Sequence, residues 1–350
     1  MIVKNEEQFL KNALTSIKHL ADEIIIVDTG SIDSTPEIAL QFTPNLFNFK
    51  WNDNFASARN FALSKATGDW IFVLDADESV SVLDIDEFKT IIQEASEETS
   101  AYAFTRRNYT NEHKVASFIS SASDPYPEAK MASGYIEDKV IRLVRNLPQI
   151  QFIGQIHATL NESVRKVGKI EESGIPIHHF GQLKFGNESK KEFYEHLYQV
   201  AEKESPSAKL FWQHGQDLLS RGDAVKAISY FCKSVNIDKG FFPAWLAMAN
   251  GHLIHGDYFR TRVALSKARE LNPNHFYIYL AQGIMLITER DFNGALEELF
   301  HALELEPKNA AIHYYTGLCL HAKGDTERAY LAFKNACDID PTYKEKVKFE

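Results

Sequence analysis

Residues 69–78 read Asp-Trp-Ile-Phe-Val-Leu-Asp-Ala-Asp-Glu. The apolar run over 70–74 is short, unbroken and closed by acids, which predicts a buried strand whose carboxyl end meets solvent. Side chains two apart on an extended segment share a face, so Asp75 and Asp77 can offer oxygen ligands to one hard divalent cation, directly or through water. Such a cation neutralises a diphosphate. A bare acid-x-acid triplet is more often a solvated turn, and its surroundings decide between the two readings.

Upstream, short apolar runs ending in polar residues alternate with helix-like stretches, an α/β pattern. Residues 1–3 read as the end of a buried strand, 7–20 as an amphipathic helix, 23–27 and 46–49 as further strands, and 55–66 as a helix closed by Gly68-Asp69. Thr35-Pro36 opens another helix, with threonine as the cap and proline at the first position. The loop Asp28-Thr29-Gly30-Ser31-Ile32-Asp33-Ser34-Thr35 joins a strand end to that helix, where open α/β sheets bind ligands and where an aspartate can accept hydrogen bonds from a base or ribose. Capping and turn roles explain the same residue types. Neither a G-x-G-x-x-G nor a G-x-x-x-x-G-K-[ST] loop occurs.

Downstream the chain repeats itself. Gly222-Asp223, Gly256-Asp257, Arg290-Asp291 and Gly324-Asp325 recur every 34 residues, as do Ser234, Ala268, Ala302 and Ala336. Small residues (Gly215, Ala249, Gly283, Gly317), bulky ones (Trp212, Leu246, Leu280, Tyr314) and prolines (Pro273, Pro307, Pro341) keep the same step. This period and order resemble the tetratricopeptide repeat, four copies of two antiparallel helices over about 207–341. The small residue lets the helices approach, the Gly-Asp pair turns the chain, and the proline is expected to start the next copy's first turn. In so regular a frame Cys232, Cys319, Cys337, His252, His255 and His301 read as packing residues.

The 350 residues are 44% apolar and 25% charged, enough for two cores, and the formal charge of −10 argues against a surface made for nucleic-acid phosphates or anionic lipid. No apolar stretch approaches the roughly 20 residues needed to cross a bilayer. With no signal-peptide core in MIVKNEEQF and three cysteines, the expected setting is reducing and cytoplasmic.

The ordered set MIVKNEE, DEIIIVDTGSIDST, WNDNFASARNFAL, GDWIFVLDADE, RLVRN, FIGQIH and HHFG, spread over 1–181, resembles the family 2 glycosyltransferases of GT-A fold. With the repeats behind it, the layout is similar to that of the S-glycosyltransferases that modify bacteriocin peptides. The expected architecture is an α/β GT-A domain over 1–183, a helical linker over 184–206, and an all-α tetratricopeptide solenoid over 207–350.

The resemblance implies that Asp28 contacts the nucleobase, with Asn5, Glu6, Ser31 and Asp33 shaping the nucleotide pocket and Arg59 reaching toward the nucleotide or diphosphate. It makes Asp75 and Asp77 the D-x-D metal site, Asp75 nearer the ribose and Asp77 on Mn²⁺ or Mg²⁺. His179 is either a further metal or diphosphate ligand or a strand-end histidine packing on the first repeat. Arg142 and Arg145 hold the diphosphate or cover the sheet. The implied activity is transfer of a hexose from a nucleotide sugar, a UDP-sugar first, with inversion; the acceptor is a peptide or protein held on the concave face of the repeats.

Two departures stand out. Relatives often carry Ile-His-Glu where this chain has Ile156-His157-Ala158, so the general base falls to Glu162, Glu137, Asp138 or His157, each also readable as a surface group. A thiol acceptor needs little such help. Glu137 and Asp138 resemble the acidic pair that precedes the acceptor helix in relatives. Relatives also have residues before the position of Met1 that complete a central strand, which suggests a truncated or misassigned start and a weakened nucleotide pocket. Between the motifs, 102–104 reads as a strand and 117–134 as a mobile loop on the acceptor side, a lid or a plain insertion. A repeat scaffold whose transferase domain has lost turnover is the alternative from another class. A metal-dependent nucleotidyltransferase is a third reading and lacks a phosphate loop.

Overall fold

The computed structural model describes residues 1–112, 118–183 and 188–347. They form two compact units, Met1–Leu197 and Tyr198–Glu350.

The first unit begins β1 (Ile2–Val3), α1 (Leu10–Ile17), β2 (Ile26–Asp28), α2 (Thr35–Leu40), β3 (Leu46–Asn48), α3 (Phe55–Leu63), β4 (Trp70–Phe72), β5 (Glu78–Ser79) and α4 (Ile85–Gln93). It continues with β6 (Thr99–Thr110), β7 (Ile119–Ser120), β8 (Gly134–Arg145), α5 (Asn161–Arg165), β9 (Lys169–His179) and the start of α6 (Glu188–Glu204). Strands β1, β2 and β3 are parallel in that order, with Val27 N donating to Met1 O at 2.9 Å and Thr29 N to Val3 O at 3.0 Å. The carboxyl ends of β1 and β2 therefore finish side by side, and so do the loops that follow them. The second sheet runs β4-β8-β6-β9-β5, antiparallel except for β6 with β9, and β7 pairs with β8.

Helix α1 buries Leu10, Ala13, Leu14 and Ile17, the single stripe that a helix facing a sheet requires, in a core shared with Phe88, Phe104, Leu143 and Ile175. A cavity of 290 Å³ is lined by residues of both sheets, among them Ile2, Ile25, Trp70 and Phe72. Beside it the Met1 α-amino group donates to Ile25 O at 2.9 Å. Burial, with a smaller push from the Arg59 charge, lowers its pKa to about 5.

Three long strands correct the sequence reading. Where only 102–104 was expected extended, β6 runs for 12 residues, and β8 and β9 add 12 and 11. Arg106 and Arg107 in β6, residues 137–139 in β8 and residues 169–172 in β9 break the apolar alternation that marks a strand. In the sheet the charges fall opposite one another, Arg106 on Asp138 and Arg107 on Glu137. The pair 137–138 thus lies inside a strand, not ahead of a helix as in the resemblance. Thr35 is the first helical residue rather than the cap; Ser34 precedes it, and Asp33 Oδ1 accepts from Thr35 N at 3.0 Å. In the expected loop over 117–134, residues 118–134 contain β7 and a short 3₁₀ turn over Pro127–Met131, while Ser117 lies outside the described residues.

The second unit takes the last turns of α6 and adds four helix pairs: α7 (Ala208–Ser220) with α8 (Ala224–Ile237), α9 (Phe242–Ile254) with α10 (Tyr258–Leu271), α11 (Phe276–Thr288) with α12 (Phe292–Leu305), and α13 (Ala310–Ala322) with α14 (Thr326–Ile339). A methyl on Gly215 would come within 2.4 Å of Phe231, and one on Gly317 within 2.6 Å of Phe333, so the absent side chain is what lets each pair close on a ring. Asp223, Asp257, Asp291 and Asp325 each cap the second helix by accepting the N–H three residues on. Ser234 replaces the alanine of the other copies and donates to Ala208 O at 2.6 Å.

The prolines do not start helices α11 and α13. Pro273 and Pro307 lie in the preceding turns, where their carbonyls accept from Tyr279 Oη at 2.7 Å and His313 Nε2 at 2.9 Å. Trp245 Nε1 does the same for Lys239 O at 2.8 Å.

Candidate active site

The loops after β1 and β2 are joined by their own polar groups. Asn5, held at φ 56°, takes a hydrogen bond from Ile32 N on its Oδ1 at 2.8 Å, and its N–H donates to Ser31 Oγ at 3.0 Å. Glu6 N donates to Thr35 Oγ1 at 2.7 Å, Glu7 N to Asp33 Oδ2 at 3.2 Å, and Ser34 N to Glu7 Oε2 at 3.1 Å. Burial works against the Asp33 carboxylate, yet the bonds from Thr35 and Glu7 hold its pKa below the usual range. Asp28, buried at the end of β2, accepts from Ser31 Oγ at 2.6 Å and Ser31 N at 3.1 Å. The described contacts of Asn5, Ser31 and Asp33 thus tie the two loops together around Asp28.

Beyond β4 the acids part company. Asp75 is gripped on both oxygens: Arg59 Nη2, from α3, reaches Oδ1 at 2.7 Å, and Arg142 Nη2, from β8, reaches Oδ2 at 2.8 Å. Burial alone would raise its pKa, but the two guanidinium charges hold it far below the carboxylate range. Arg142 also bonds the fully buried Glu78, and Arg106 stands 3.6 Å from Glu78 while forking onto Asp138 at 3.0 and 2.6 Å. Arg59, Asp75, Arg142, Glu78, Arg106 and Asp138 thus form one row of alternating charge. Glu78 and Arg106 were not singled out in the sequence; Glu78 directly follows the acid pair, whereas Arg106 sits in a strand with no motif.

Asp77 faces elsewhere. His179, at the end of β9, brings Nε2 to 3.6 Å from Asp77 Oδ1, while its Nδ1 meets Asn108 Oδ1 at 2.7 Å. Gly181 lies against both, and a methyl there would come within 2.5 Å of His179 Nε2 and 2.8 Å of Asp77 Oδ2.

The proposed bases separate cleanly. Asp138 is tied to this group through Arg106 and Asn108 and is half exposed; the Arg106 fork overcomes burial and lowers its pKa. Glu137, on the other face of β8, pairs with Arg107 at 3.3 Å. Glu162 is exposed on α5, and the exposed His157 stacks on Tyr194 at 6.2 Å. Arg145 is structural: it donates to Thr99 O and Ser96 O at 2.7 and 2.8 Å and lies over Trp70.

Residues 1–140 match the glycosyl transferase family 2 description. A TPR repeat-containing protein of Synechococcus elongatus is 37% identical over 165 residues, 47% of this chain and 35% of that protein. The prophage SPbeta-derived glycosyltransferase SunS of Bacillus subtilis is 25% identical over 248 residues, 69% of this chain and 53% of that one. An uncharacterized glycosyltransferase of Rickettsia typhi is 36% identical over 81 residues, 23% of this chain and 27% of that one. The chain spans between about a quarter and a half of the length of these curated relatives. Among solved structures, the anaphase-promoting-complex assembly Cut9–Hcn1 aligns with TM-score 0.40 at 23% identity, over 44% of this chain and 29% of that one. MamA of Desulfovibrio magneticus aligns with TM-score 0.35 at 28% identity, over 38% of this chain and 76% of that one. Among the described residues no helix is long and apolar enough to cross a membrane. With the repeat geometry and the family match together, residues 1–140 belong to the family 2 glycosyl transferases, and the unit behind them is a solenoid of tetratricopeptide type.

Proposed function

We propose that the first unit transfers a hexose from a nucleotide sugar, a UDP-sugar first among donors, to a polypeptide acceptor with inversion at the anomeric carbon. The single observation that carries this reading is the pairing of Asp77 with His179 beneath Gly181, beside an Asp75 already engaged by two arginines. A carboxylate oxygen and an imidazole nitrogen across a gap kept clear of any Cβ suit a divalent cation, Mn²⁺ or Mg²⁺. Asp77 and His179 would hold it. Among the described residues no three His, Cys, Asp or Glu converge, so such an ion would have to draw the rest of its shell from water and phosphate oxygens. When bound, such an ion supplies positive charge where the departing nucleoside diphosphate gains negative charge.

The chain's own groups have distinct parts in that chemistry. Asp75 keeps Arg59 and Arg142 in place, and their guanidinium edges favour a diphosphate. The loop bonds around Ser31 hold Asp28 ready to accept from a nucleobase. Asp138 takes the acceptor's proton: the described contacts join it to His179 through Asn108 and to Glu78 through Arg106. Its lowered pKa keeps it ionised and makes it a weak base, which suits an acceptor that arrives partly ionised, such as a thiol. That weakness also favours the second reading, a transferase-like domain without turnover serving a repeat scaffold. The solenoid presents an extended surface of the kind that binds peptides.

Calorimetry with UDP-, GDP- and dTDP-sugars, in Mn²⁺ and then in EDTA, tests the proposal. Metal-dependent binding of one donor is expected, with donor hydrolysis lost in Asp77→Ala. Donor binding without hydrolysis or transfer to any cysteine- or serine-containing peptide would favour the scaffold.

A further inference from the structure

Asn108 lies in β6 and makes three side-chain hydrogen bonds whose directions can be deduced from chemistry alone. Its Nδ2 lies 3.2 Å from Ile136 O and 3.3 Å from Asp138 Oδ1. A backbone carbonyl can only accept, and so can an ionised carboxylate, so both contacts require the amide NH₂ on that side. The amide oxygen must then face His179, whose Nδ1 is 2.7 Å away. An amide oxygen cannot donate, and therefore Nδ1 carries the proton. In neutral His179 this leaves Nε2 as a lone pair, aimed at Asp77 Oδ1 across 3.6 Å.

Two electron-pair donors that face each other without a proton between them repel, and a cation placed between them reverses that repulsion. The opposite tautomer would put an N–H there and close the gap with a hydrogen bond to Asp77. We infer that Asn108 is a positioning residue that locks His179 in the Nδ1–H form and so makes the Asp77–His179 pair a cation seat. The inference rests on the metal reading given above and adds a residue outside every motif in the sequence. It also joins the seat to the acceptor side, because the amide that sets His179 donates to Asp138.

The test begins without metal. In ¹⁵N-histidine-labelled protein at pH 8, with His179→Gln used to assign the signal, two-bond ¹H–¹⁵N spectra are expected to show His179 protonated at Nδ1. In Asn108→Ala that pattern should change to the Nε2–H or a mixed form. Asn108→Asp keeps an oxygen opposite Nδ1 and should restore it, while giving up the N–H contacts to Ile136 O and Asp138 Oδ1. Mn²⁺ titration followed by electron paramagnetic resonance then reads the consequence: about 10- to 100-fold weaker binding in Asn108→Ala, with Asn108→Asp at least as tight as the parent. Thermal unfolding confirms that the variants are folded. An Nε2–H signal in the parent, or an unchanged tautomer in Asn108→Ala, overturns the inference, and so does parent-like Mn²⁺ affinity in Asn108→Ala. Failure of the parent itself to bind Mn²⁺ overturns the metal reading instead, and the tautomer spectra then decide the role of Asn108 by themselves.

Discussion

A single methyl group separates Gly181 from alanine, and that methyl would press on both His179 Nε2 and Asp77 Oδ2, at 2.5 and 2.8 Å. Gly181→Ala is therefore expected to weaken Mn²⁺ binding by an order of magnitude or more while leaving the melting temperature within a few degrees, as read by titration and calorimetry. His178, the neighbour of His179, behaves oppositely. It is fully buried, bonds Tyr109 Oη at 2.7 Å through Nδ1 and stacks on that ring, with Glu128 4.0 Å from Nε2. Burial first, and then the charge of Arg107, lowers its pKa to about 3. The unfolded imidazole, with pKa near 6.5, binds more protons between those values, so the stability contributed by neutral His178 is complete above about pH 6.5 and is lost as pH falls toward 3. Urea unfolding across that range should show a shallower acid slope in His178→Phe than in the parent. The two adjacent histidines look alike in HHFG; opposite faces of one strand give them opposite work.

The repeating turn explains itself at the level of the helix pair. Gly222, Gly256 and Gly324 take φ of 83°, 80° and 83°, the left-handed conformation that ends a helix, and the aspartate that follows caps the next one. Arg290 holds the same position at φ 63° and is exposed. Arg290→Gly should stabilise the second unit by roughly 0.5–1 kcal/mol, since it removes a side chain from a region that disfavours one. Asp291→Ala should cost about 1 kcal/mol through the lost cap. Chemical denaturation of both variants checks the pair of signs. These turns were legible from the 34-residue period because their chemistry is local. The paired strands were not: Arg106 is matched to Asp138 from 32 residues away, and no window of a few residues contains both partners.

Each of the two units has its own buried clusters, and helix α6 contributes to both. Its Trp51- and Phe55-facing residues, Phe193 and Tyr194, belong to the first unit, whereas Tyr198 stacks on His214 at 4.0 Å and Glu202 bonds His214 at 2.7 Å in the second. The last turns of α6 thus cap the first repeat, and a linker reading of that helix misses this role. A fragment beginning at Tyr198 should fold alone as a cooperative helical unit. One beginning at Ala208 should melt roughly 10 °C lower, in proportion to the few kcal/mol lost with a buried tyrosine and its partners. Circular dichroism of the two fragments measures the difference.

Order along the chain determined, by itself, the α/β half, the helical repeats, the strand that leads toward Asp75 and Asp77, and the resemblance that names the first half. Each of these depends on periodicity or on neighbours a few positions apart, which a linear reading contains. The tertiary structure alone decided which partners each carboxylate meets. Asp75 and Asp77 stand two residues apart, yet Asp75 is claimed by Arg142 from 67 residues away, while Asp77 meets a histidine whose ring is set by Asn108 from 71 residues away. The reason is physical. A charge is defined by what surrounds it once water is removed, and the chain brings those surroundings together only when the strands pair.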